Sequence, residues 1–115
     1  MVNEIAERRL NLRYKIHLPV HFRVSFRSET SRWRTSVTAD ISSTGVSFPC
    51  RQPLPIGAHV EMMIDWPARA GDMYPVQLHA GGYVVRRSAT KAGVRITSHR
   101  FRVELEAAAP MGAIA

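Results

Sequence analysis

Six residues of this chain have types and spacings that could do chemistry. Arg8, Arg9 and Arg13 stand together in "ERRLNLRY", and Asp40, Ser42 and Gly45 stand together in "TADISSTGVSF". A guanidinium is a planar fork that grips phosphate oxygens, or guanine O6 and N7, two bonds at a time. A carboxylate offers the converse, accepting a pair of N–H donors. Ser42 can add a hydroxyl contact. Gly45 supplies either a positive φ angle or a close backbone approach. The alternative role of Asp40 and Ser42 is bonding to the turn backbone, which short polar side chains do readily.

Other chemistry finds no support. His17, His21, His59, His79 and His99 show no metal-site grouping. His17 and His21 share a strand face but would lie about 13 Å apart, too far to share one ion. Cys50 alternates with Val46 and Phe48 and reads as a small buried apolar residue, not a nucleophile. No nucleophile elbow, phosphate-binding glycine loop or paired catalytic carboxylates occur, so no catalytic residue is assigned and no metal or cofactor is expected.

Composition narrows the class further. A chain of 115 residues with 45% hydrophobic and 22% charged residues is sized and composed for one globular domain. Its single cysteine excludes an intrachain disulfide and fits a reducing compartment. No apolar run approaches the roughly 20 residues of a membrane span, and "MVNEIAERR" lacks a secretory apolar core. A cytoplasmic protein without membrane insertion is expected. The 16 Lys+Arg outnumber 9 Asp+Glu, giving +7, and half of these cations precede residue 35. All but Lys15 and Lys91 are arginine, a bias that points to an anionic partner.

The elements that must position these residues are strands. Ile16, Leu18, Val20, Phe22, Val24 and Phe26 are apolar at every second position, the pattern of a half-buried strand. After "RSETS", a second alternation puts Trp33, Thr35, Val37, Ala39 and Ile41 on the core face. Asp40 and Ser42 then share the outer face, roughly 6.6 Å apart. Val46–Cys50, Val60–Ile64, Val76–Arg87 and "AGVRIT" supply four more strands, with "PARAGDMY" as a loop and Gly81-Gly82 as a bulge or bend. The expected fold is all-β: a small six-stranded antiparallel β-barrel over residues 15–106. It is preceded by a flexible arginine segment, 1–14, and followed by a frayed tail, 107–115.

In this strand context the two motifs together resemble the PilZ domain family. An Arg-x-x-x-Arg segment (Arg9, Arg13) precedes the first barrel strand, and Asp-x-Ser-x-x-Gly (Asp40, Ser42, Gly45) ends the second. The likeness runs from about Glu7 to Arg102 and takes in "LPV", "LPIG", "IDWP" and "AGVRI". The resemblance implies a Greek-key barrel and a non-enzymatic, stand-alone receptor for the bacterial second messenger cyclic di-GMP. The arginine segment would fold over the ligand against the barrel's outer wall, and its ordering would signal to an unidentified downstream protein. An arginine in the position of Arg8 goes with an intercalated ligand dimer. Where many relatives end in a packing helix, "SHRFRVELEAAAPMGAIA" offers a short turn or extra strand.

Two other readings remain. A ligand-free PilZ-like adaptor would dock proteins alone. A basic β-barrel binding single-stranded nucleic acid would need aromatic residues along a basic groove. Against nucleic acid, Phe22, Phe26, Phe48 and Trp33 fall on the core-facing phase of their strands.

Overall fold

The alternating run from Ile16 does become a strand, β1 (Pro19–Phe26), in the computed structural model, which describes residues 15–70 and 74–103. It is followed by β2 (Glu29–Thr30), β3 (Arg34–Val37), β4 (Asp40–Ile41), β5 (Gly45–Pro49), β6 (His59–Ala70), β7 (Tyr74–Arg87) and β8 (Lys91–Val103). The ladders are all antiparallel, in the order β2-β1-β6-β7-β8-β5-β4, with β3 also paired to β1. The expected six strands survive this finer division. β2 is a two-residue stub, and β3 and β4 are halves of one bent strand. That bend draws the curled sheet into a barrel-like shape, because β3 pairs with β1 at one end of the sheet and β4 with β5 at the other.

The core is where the alternation placed it for β1, β5 and β6. Phe22 and Phe48 meet with ring centroids 4.7 Å apart, beneath Val20, Val46, Val60, Met62, Ile64 and Val84, all buried. The break "PLPIGA" forms a turn in which the Ala58 N–H donates to the Pro55 carbonyl. Its third residue, Gly57, has φ 90°, the angle a type II turn requires there.

The second strand departs from its expected phase. Trp33 and Val37 are 42% and 47% exposed, whereas Thr38 is buried. Opposite residues in an antiparallel ladder share a face, and β1 pairs His21 with Thr35 and Pro19 with Val37. Trp33, Thr35 and Val37 therefore face outward. The facing flips again where the strand changes partner, between Thr38, whose N–H donates to Leu18 O, and Ala39, whose N–H donates to Ser47 O. Ile41 thereby returns to the core. β6 also runs further than expected, through Pro67 to Ala70. A register shift between Trp66 and Arg69 accommodates the proline, which has no N–H to give a ladder. β8 continues through Val103, so the region after "AGVRIT" is strand up to that residue.

Thr38 holds the entry to the barrel. Its Oγ1 accepts the Leu18 N–H at 2.8 Å and donates to the Ile16 carbonyl. Thr38→Val keeps the shape but leaves both backbone groups without that partner. A loss of about 1–3 kcal/mol is expected, measured by urea denaturation. An unchanged midpoint would mean that water replaces the hydroxyl.

Candidate functional site

Asp40 is the first residue of β4 and pairs with Ser47 of β5. Its neighbour Ile41 points into the core opposite Val46, so the carboxylate is directed to the outer wall, as the alternation required. Ser47 Oγ donates to Asp40 Oδ2 at 2.9 Å and fixes the carboxylate against β5. The turn beyond is built by Ser42. Its N–H donates to the Gly45 carbonyl at 2.8 Å, and its Oγ accepts the N–H groups of Thr44 (3.3 Å) and Gly45 (3.2 Å). Ser42 thus shapes the turn that Asp40 leads into. Gly45 opens β5 opposite Arg95 as a buried strand residue, and the positive φ belongs to Gly57. Of the two reasons for a glycine at 45, the positive φ angle does not apply.

Arg8, Arg9 and Arg13 lie outside the described residues. The described chain that follows them is pinned at the site. His17 Nδ1 lies 3.1 Å from the Thr38 carbonyl oxygen, and the Thr38 hydroxyl ties down Ile16 and Leu18. Thr38 stands two residues before Asp40. The fold therefore delivers the start of the barrel to the end of the wall that carries Asp40 and Ser42. A chain spans at most about 3.6 Å per residue, so the Arg13 Cα is covalently held within about 11 Å of the Ile16 Cα.

Sequence reasoning did not single out Ser47, although its place between Val46 and Phe48 in the outward phase was visible. It also passed over Gly93, which pairs with Ser47 on β8 and leaves the wall bare beside Asp40. Arg86, on β7, completes that row. Arg95 lies beyond Gly45 in the next.

The remaining candidates fall away from this wall. Cys50 is half-buried against the core, and burial pushes its thiol pKa up, an effect the Arg34 guanidinium partly offsets. A thiol held protonated in this way is a poor nucleophile. Trp33 is not a core residue. Its outer face is covered by the Arg23 guanidinium, 4.7 Å from the ring centroid, and Arg23 is ion-paired to Glu61. The aromatic argument against nucleic acid therefore holds for Phe22 and Phe48 but not for Trp33. Trp66 packs partly on the core and edge-on to Phe101. Among the described residues no cluster of three or more His, Cys, Asp or Glu side chains could hold a metal ion, and no helix is long and apolar enough to cross a membrane.

Comparison with known proteins agrees with this geometry. A family model described as PilZ domain matches residues 7–109. No curated protein and no solved structure gave a match. The match covers nearly the whole chain, the curled antiparallel sheet is consistent with a PilZ-like β-barrel, and the family is one of binding domains known for cyclic di-GMP, not of catalysts. The chain belongs to the PilZ domain family.

Proposed function

We propose that this chain is a cytoplasmic receptor for cyclic di-GMP, bound on the outer wall at the β4–β5 turn. The observation that carries the reading is the Thr38 pin, which starts the barrel beside Asp40 and so keeps the Arg-x-x-x-Arg segment within reach of the Asp-x-Ser-x-x-Gly turn. In this reading Asp40 accepts guanine N1–H and the exocyclic amine. Arg9 and Arg13 grip phosphate oxygens and guanine O6 and N7. Ser42 holds the turn and offers its hydroxyl, and Gly45 permits the close approach. Arg8 adds a third fork and favours an intercalated pair of ligands. Ligand ordering of residues 1–14 would give a downstream protein a surface absent from the free form.

Base discrimination tests the role given to Asp40. Wild type should prefer cyclic di-GMP over cyclic di-AMP, and Asp40→Ala should narrow that preference by about tenfold, the worth of one charge-assisted contact. Competition between the two dinucleotides for a fluorescent ligand reads this directly. An unchanged preference in Asp40→Ala would remove the carboxylate from the guanine site.

A further inference from the structure

Two arginines on the same outer wall make no hydrogen bond or ion pair among the described residues: Arg86 on β7 and Arg95 on β8. Cross-strand register shows where they stand. Asp40 pairs with Ser47, Ser47 with Gly93, and Gly93 with Arg86, so one row crosses four strands on one face. At about 4.8 Å per strand, Asp40 and Arg86 sit at opposite ends of a track roughly 14 Å wide. In the neighbouring row, Gly45 pairs with Arg95, and Arg95 with Tyr83.

A bulge creates the first row. Val84 pairs with Val94 and Arg86 with Gly93, leaving Val85 as the extra residue. Without that insertion, Arg86 would pair with Ala92, which is fully buried in the core. The bulge turns its guanidinium to the outer wall, a recognised way of re-aiming a side chain at a site. Gly93 lies between Arg86 and Ser47 with no side chain to interrupt the track. A Cβ there would come within 3.6 Å of Arg86 Nε. Grooves lie on both sides of it, one lined by Asp40, Ser47 and Lys91 and the other by Gly45 and Arg95, with Arg86 and Gly93 lining both.

We infer that the ligand wall extends across β8 to β7. The sugar-phosphate ring of the cyclic dinucleotide would lie over Gly93 while Arg86, supported by Arg95, takes a phosphate at the end opposite Asp40. This rests on the cyclic di-GMP reading above and assigns that ligand its second anchor. A guanidinium with no hydrogen-bond or ion-pair partner among the described residues is open to a phosphate and forfeits none of those contacts on binding.

Titration of cyclic di-GMP into wild type, Arg86→Ala, Gly93→Ala and Arg100→Ala tests the assignment. Arg86 is exposed, and an alanine Cβ at 93 meets its nearest neighbour, Arg86 Cβ, at 3.4 Å, so both variants should fold. Arg86→Ala should weaken binding by about tenfold or more. Gly93→Ala should also weaken it while thermal stability stays equal or rises, since alanine restricts the unfolded chain more than glycine does. Arg100→Ala removes the same charge elsewhere on β8 and should bind as wild type does. Wild-type affinity in both Arg86→Ala and Gly93→Ala would overturn the extended wall and leave the β4–β5 site standing. Equal weakening in Arg100→Ala would reduce Arg86 to general charge and overturn its anchoring role. No binding by wild type would overturn both the ligand reading and this one.

Discussion

Gly82→Ala should cost the barrel about 3 kcal/mol, the upper part of the range for forced overpacking, and lower the melting temperature by roughly 10 °C or more. A Cβ at this position would lie 2.0 Å from the Arg95 carbonyl oxygen, 2.8 Å from its carbon and 3.0 Å from Ile96 Cα. These are backbone atoms of the adjacent strand and cannot rotate away as a side chain would. The crowding arises at the register shift between Gly81 and Gly82. There β7 pairs Gly81 with Ser98 and Gly82 with Ile96, leaving Thr97 as the extra residue on β8. The neighbouring glycine provides the control. At Gly81 a Cβ meets Ser98 Oγ at 3.1 Å, the end of a side chain that can rotate, so Gly81→Ala should cost less than about 1 kcal/mol. Thermal denaturation of both variants separates them. Equal melting temperatures would mean that β7 and β8 can part at Gly82 without loss. Because Arg95 sits in the strand that must move, ligand affinity should fall in Gly82→Ala as well.

How far the sequence could be read depended on whether a strand kept its phase. β1 keeps it from Pro19 to Phe26, and its core residues lay where the alternation put them. Asp40 was legible because two reversals of facing upstream cancel, which returns Ile41 beside it to the core where the alternation had put it. Trp33 and Val37 were misread because their strand shifts register and then changes partner within about ten residues. Each event reverses the facing without changing the apolar spacing. Arg86 was hidden in the same way, since only the bulge at Val85 brings it outward. The end of β6 was lost because Trp66-Pro67 looks like a stop, whereas a bulge carries the strand through the proline. The pairing of Asp40 with Ser47, and of Ser47 with Gly93, depends on contacts between distant segments that periodicity does not encode. The glycine at 45 illustrates the limit. Its residue type allowed two explanations, and the backbone rules out one of them, the positive φ.

The second large effect belongs to Arg13. Its position three residues before Ile16, which Thr38 fixes beside the wall, gives it a shorter tether to Asp40 than any other arginine of the N-terminal segment has. Removing a charge-assisted contact to phosphate or guanine should cost about 1.5–3 kcal/mol, on the order of a tenfold to hundredfold weakening. The barrel's stability should be untouched, because Arg13 precedes the strands. Calorimetric titration of cyclic di-GMP into wild type and Arg13→Ala measures this directly, and the same titration counts ligands. The account predicts saturable wild-type binding at two ligands per chain, weakened at least tenfold in Arg13→Ala. Saturation at one ligand would withdraw the role of Arg8. No heat with wild type, and no displacement of a labelled dinucleotide, would contradict the receptor reading and leave a protein-docking adaptor in its place.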